Sequence, residues 1–317
     1  MQGMIDYGQG IRAVDSDYLR PQLDAIHLIV ENGRVAVIDC AVNSSVPHIL
    51  AALRACGLPE TAVDYVILTH IHLDHAGGAG LLMSKLPNAR LTVHPRGARH
   101  MIDPRKLVEG TVAVYGAAHV RELYGEILPV DATRVIQTPH QTALSLNGRP
   151  LVFFDTPGHA RHHVCVLDEK TGHVFTGDTF GLSYRELDCD GRQFVVPTSS
   201  PVHFDPAAAH RSVELITRLR PGAAYLTHYG QVRDIERLAA DMHRLLDAYV
   251  ELAHSVGAAG PARHALLKAG MQDIIRAEAK RHGWQISIEA ALEVLDLDLE
   301  LNAQGLAIWF DALPAAR

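Results

Sequence analysis

The chain has 317 residues, 48% hydrophobic and 21% charged, and a net charge of −7, a balance that buries a sizeable core without crosslinks and argues against disorder. Its Lys and Arg residues are dispersed rather than gathered into a stripe, which speaks against a nucleic-acid partner. No run approaches the roughly 18 apolar residues of a membrane span and the opening MQGMIDYGQG lacks leader character, so a cytoplasmic address without membrane contact is expected.

AIHLIVENGRVAVID, ending at Asp39, reads as a hairpin around Asn32-Gly33, the dipeptide that best tolerates a tight turn. SSVPHILAALRACG follows as a helix, with Ser44 or Ser45 as cap, Pro47 in the first turn and Gly57 past the end. VDYVILTH is a strand, HAGGAGLLMSKL a helix and RLTVHP a strand, so β and α alternate. Residues 96–140 read as helical and irregular, and a second hairpin turns at Asn147-Gly148. HHVCVLD and HVFTGD are further strands, whereas Thr179 to Phe204 has no clean period and is expected to be a functional loop.

DPAAAHRSVELITRLRPG is then a helix capped by Asp205, AAYLTH a short strand, and residues 230–256 a long amphipathic helix. From about residue 258 the chain reads as two or three more helices with apolar faces. We therefore expect a catalytic domain over 1–257 and a helical extension over 258–317, which either covers the core or makes a homodimer contact.

Cys40, Cys56, Cys165 and Cys189 have no CxxC spacing, which suggests reduced, mostly buried thiols rather than a disulfide or thiolate framework. The 20 histidines instead prompt a search for metal ligands. Strand VDYVILT runs into His70-Ile71-His72-Leu73-Asp74-His75. Alternate side chains of an extended segment point the same way, so His70 and His72 can grip one ion. A lone histidine is more often surface or core packing; the run HxHxDH is not explained that way. Asp39, His159, Asp178 and His228 also stand directly after apolar β runs, and strand ends gather on one edge of a layered α/β fold.

THIHLDHAGG, TPGHARHH, GDTF and LTHYG, together with the early Asp39, resemble the signature segments of the metallo-β-lactamase fold superfamily over about residues 10–250. The resemblance implies a four-layer αββα sandwich. It implies that His70, His72 and His159 hold a first metal, that Asp74, His75 and His228 hold a second, and that Asp178 bridges both. Asp39 matches the family aspartate that supports the metal loop through hydrogen bonds. Imidazole and carboxylate without thiolate suit two zinc ions, and iron or manganese would accept the same set.

Such a pair would generate a bridging hydroxide to attack a small-molecule ester, thioester or lactone, with Asp74 accepting its proton and Asp178 held at the reacting centre. Phe180, Tyr184 and Arg185, just after Asp178, are the candidates for walling the substrate pocket, while His162, His163 and His203 are read as supporting or packing residues. THIHLDHAGG and GDTF resemble glyoxalase II-type thioesterases, although the basic and tyrosine set that would grip glutathione is not found. Gly181 stands where homoserine-lactone lactonases carry a tyrosine. The competing readings are a mono-iron persulfide dioxygenase of the same fold, a phosphodiesterase or nuclease-type member, and a non-catalytic metal-binding scaffold.

Overall fold

The computed structural model describes residues 4–257 and 260–314. It divides into two compact units, the first made of Met1–Asp155, His162–Gly177 and Pro221–Gln231, the second of Thr156–Arg161, Asp178–Arg220 and Val232–Arg317. The domain boundary expected at 257/258 falls beside residues 258–259, outside the described residues.

Unit one begins with a seven-stranded sheet in sequential order, β1 (Met4–Asp6), β2 (Ile11–Asp15), β3 (Ala25–Glu31), β4 (Arg34–Ile38), β5 (Val63–Ile67), β6 (Arg90–Val93) and β7 (Val135–Gln137). Strands β1 to β4 pair antiparallel and β4 to β7 parallel. The β3–β4 hairpin turns where expected, with Asn32 and Gly33 at φ 46° and 80°, values a mirror-type turn requires. The helices of this half are α1 (Val46–Ala55), α2 (Leu73–Ala76), α3 (Ala79–Lys85), α4 (Pro95–Ile102), α5 (Arg105–Tyr115) and α6 (Ala117–Tyr124).

Ser45 stands at the N-cap position of α1, as expected, with its hydroxyl donating to Ser16 O at 2.7 Å rather than accepting from the helix. The helix read over HAGGAGLLMSKL is two short ones, α2 and α3, with Gly77 and Gly78 between them packed so closely on Leu73 and Val42 carbonyl oxygens that a side chain would clash.

A second sheet of six strands runs in the order β13-β12-β11-β10-β9-β8: β8 (Thr142–Leu146), β9 (Arg149–Asp155), β10 (Val164–Asp168), β11 (His173–Phe175), β12 (Ala224–Leu226) and β13 (Gly230–Val232). Period-two patterning explains how the first sheet serves two cores. Ile26, Leu28, Val35 and Val37 face α1, α3 and α4 in one apolar cluster. Ile29, Ala36 and Ile38, the intervening residues, pack against Leu151, Phe153, Val166 and Phe175 of the second sheet.

In unit two, α7 (Pro206–Arg218) packs on α8 (Ile235–Val256), α8 on α9 (Arg263–His282) and α9 on α11 (Asp296–Asp311), with α10 (Ile288–Val294) beside them. Asp205 caps α7 as expected, accepting from Ala208 N at 2.9 Å. The helix expected from residue 230 starts only at Ile235, since 230–232 form β13 and Asp234 takes a left-handed φ of 59°. The segment 179–204 carries one 3-10 turn at Arg185–Leu187 and isolated bridges. Among the described residues no helix is long and apolar enough to cross a membrane.

Candidate metal centre

Strand direction dictates what meets in unit one. β2, β4, β5, β6 and β7 run one way, so Asp39, Thr69 and His94 leave the same edge, and antiparallel β3 starts there with Asp24. In the second sheet β9, β11 and β12 end, and β10 begins, at a single edge too, bringing Asp155, Gly177, Thr227 and His163 to it. The two edges are stitched together by Val164 N donating to Thr69 O and Ala25 N donating to Thr227 O, both at 2.7 Å. Carboxyl-end edges of this kind are where layered α/β folds build sites.

His70, Asp74, His75, His72 and His228 gather there. His70 Nε2 lies 2.9 Å from His72 Nδ1, and the His70 ring sits 4.0 Å from that of His75 and 4.5 Å from that of His72 between centroids. Asp74 Oδ2 stands 3.6 Å from His75 Nε2 and 3.7 Å from His228 Nε2. A tetrahedral shell with bonds of about 2.1 Å spaces its ligand atoms about 3.4 Å apart, close to both Asp74 separations, and the three ligand atoms of this trio lie within 4.8 Å of one another, as a group that could hold a metal ion does.

The far side of each ring is anchored. His75 Nδ1 meets Asp39 Oδ2 at 2.8 Å, and His228 Nδ1 meets Asp24 Oδ1 at 2.7 Å and Leu23 O at 3.1 Å. A carboxylate that accepts a hydrogen bond from Nδ1–H fixes the tautomer that presents Nε2 to an ion. Asp39 also accepts from Thr69 N at 2.8 Å and from the hydroxyls of Thr69 and Thr227 at 2.8 Å. Asp39 and Ala41, at φ 54° and 51°, bend the chain sharply after β4, a strained geometry that concentrates at functional sites.

His159 and Asp178 lie together in unit two, both buried, with Nε2 and Oδ2 3.5 Å apart. His159 Nδ1 is 2.6 Å from Thr198 Oγ1. Gly158, at φ 138°, touches the Ala209 backbone so closely that a Cβ would come within 2.4 Å of it, which sets His159 against the start of α7. Asp178 directly follows Gly177, whose own Cβ would fall 2.6 Å from Thr69 Oγ1 and 2.7 Å from His163 Nε2; only glycine fits at φ 48° in that space.

His163 and His162 pack their rings on His70, at 4.9 and 6.3 Å. Phe180 and Tyr184, expected to wall the pocket, are buried within unit two, and Tyr184 Oη donates to Asp298 Oδ1 at 3.3 Å. Arg185 is folded onto Asp188 at 3.2 Å and onto Ser183 O at 2.5 Å.

Asp24, Thr69, Thr198 and Thr227 escaped the sequence reading; for Asp24 a signal existed, a carboxylate opening the strand antiparallel to β4. Tyr18 and Tyr124 escaped it too. Their hydroxyls are 3.1 Å apart, and burial first, then the charge of Asp74, pushes both phenols up, so they stay neutral donors. The Cys40 thiol, driven up by burial, donates to His75 O at 3.3 Å and is no ligand.

The family model for the metallo-beta-lactamase superfamily matches residues 25–228. The metallo-beta-lactamase fold-containing protein ST1585 of Sulfurisphaera tokodaii is 26% identical over 67% of this chain and 75% of its own length. A hydroxyacylglutathione hydrolase of Klebsiella pneumoniae is 27% identical over 47% of this chain, the match spanning 43% of that enzyme. Among solved structures, the archaeal superfamily protein from Sulfolobus tokodaii superposes at a TM-score of 0.64 with 22% identity, covering 94% of this chain and 98% of that one. TTHA1429 from Thermus thermophilus gives 0.63 with 21% identity over 79% and 84%. Two stacked sheets flanked by helices, a histidine and aspartate cluster at their shared edge and a family match through His228 lead to one conclusion: the chain belongs to the metallo-β-lactamase superfamily.

Proposed function

We propose that this protein is a dinuclear metal-dependent hydrolase acting on an ester, thioester or lactone of a small molecule. In this reading His70, His72 and His159 would hold one zinc ion and Asp74, His75 and His228 the other, with Asp178 as a further carboxylate ligand. The observation that carries it is the Asp74, His75 and His228 trio, whose ligand atoms lie within 4.8 Å of one another, with both imidazoles anchored through Nδ1 by buried carboxylates. When bound, such ions supply Lewis acidity toward a carbonyl oxygen and make water acidic enough to react near neutral pH.

The chain's own groups do the rest. Asp74 is the most exposed carboxylate of the set, its side chain 28% accessible, which supports its reading as the acceptor of a proton from water at the site. Asp39 and Asp24 keep His75 and His228 oriented, so no ring reorganises as the reaction proceeds. The resemblance to hydroxyacylglutathione hydrolases, at 27–29% identity over 47–56% of this chain, supports the thioester and ester class.

The test combines elemental analysis with turnover of a lactone, a thioester, an aryl ester and a phosphodiester. Near two zinc per chain and turnover of a carboxylic substrate are expected, with His72→Ala losing metal and turnover together. Full turnover in His72→Ala overturns the reading. One iron per chain with oxygen uptake points to a dioxygenase, and dominant phosphodiester cleavage to a nuclease-type enzyme.

A further inference from the structure

We infer that the C-terminal helix α11 positions His159, acting through Asn302 and Thr198. The inference rests on the proposed reading of His159 as a metal ligand and adds a role for the helical extension, all of it within unit two.

Four residues form the connection, and each is nearly withdrawn from solvent: His159 is 4% exposed, Thr198 8%, Ser199 0% and Asn302 1%. Thr198 Oγ1 meets His159 Nδ1 at 2.6 Å. The residues on either side of Thr198 are both held by one side chain of α11. Ser199 N donates to Asn302 Oδ1 at 2.6 Å, and Asn302 Nδ2 donates to Pro197 O at 3.1 Å. Ser199 Oγ closes the arrangement by donating to Asn302 O at 3.1 Å.

The helix backbone itself reaches this segment. Gly305 lies one turn beyond Asn302, and a Cβ there would stand 1.5 Å from Ser199 O, so no larger residue permits the approach. A glycine inside a helix costs about 1 kcal/mol relative to alanine, and here it lets α11 seat directly on the strip that carries Thr198.

The chemical consequence falls on one ring nitrogen. With Nδ1–H donating to Thr198, His159 adopts the tautomer whose Nε2 carries the lone pair, and that Nε2 faces Asp178 Oδ2 at 3.5 Å. Thr198 thus sets tautomer and ring angle, and Asn302 sets Thr198. Loop packing alone would change stability when these residues are altered and leave metal affinity where it was.

The experiment measures zinc affinity by chelator competition and the visible spectrum of the cobalt-substituted protein. Thr198→Val, which keeps the shape and loses the hydroxyl, and Asn302→Ala are each expected to weaken zinc about 10- to 100-fold and to shift the cobalt bands. Thr198→Ser is expected to restore both, and the double variant to be no worse than the weaker single, since both act on one path. If Asn302→Ala fails to fold, the near-isosteric Thr198→Val decides alone. Wild-type affinity and spectrum in folded Thr198→Val overturn the inference. His159→Ala separates the two levels: if it loses metal while Thr198→Val does not, the ligand reading stands and the relay falls, whereas undiminished metal in His159→Ala removes both.

Discussion

Asp39 accepts hydrogen bonds from the Thr69 backbone and hydroxyl, the Thr227 hydroxyl and the His75 ring, all while 1% exposed. One side chain therefore fixes the ends of β4, β5 and β12 relative to an imidazole of the proposed centre. An amide in its place would accept through a single oxygen and turn an NH2 group toward donors that have nowhere else to go. Asp39→Asn is expected to lower stability by roughly 2–3 kcal/mol and zinc affinity about 10- to 100-fold. Urea unfolding and chelator competition check the two figures, and wild-type values in both would remove the anchoring role. The His70 to His75 cluster was legible because candidate ligands in a strand-to-helix turn are close in sequence. Their partners were not, because Thr227 is 188 positions from Asp39 and a threonine carries no mark of what it will touch.

At the scale of elements, the inward face of β3 carries an imidazole where the pattern calls for an aliphatic residue. His27 is 1% exposed, its ring 5.5 Å from those of Phe175 and Tyr225, and its Nε2 has no hydrogen-bond partner among the described residues. Burial, opposed by the charge of Asp39, lowers its pKa from 6.5 to about 4. The folded state thus refuses a proton that the unfolded chain accepts, so stability is full above pH 6.5 and falls as pH drops from there toward 4. The shift corresponds to about 3 kcal/mol. His27→Leu is expected to flatten the stability profile by that amount across the window; parallel profiles for both proteins would sink the assignment. The hairpins were legible because Asn-Gly turns announce themselves. Strands β1, β2, β7 and β13 were not, being three to five residues long and fixed by pairing with neighbours, which is also why β13 reads as the start of α8.

For the molecule as a whole, the proposed ligands are drawn from strand ends scattered between His70 and His228 and can meet only in the folded chain, so in that proposal metal binding and folding are linked. An ion that binds the native state alone stabilises it by about 2.7 kcal/mol at a hundredfold excess over its dissociation constant. For a protein of this size that is roughly 4 °C in the midpoint. Calorimetry with graded zinc should show that midpoint rising with free metal, falling on chelation and rising less in His72→Ala. A midpoint indifferent to both zinc and chelator would mean that the anchored imidazoles hold no ion, whatever their spacing.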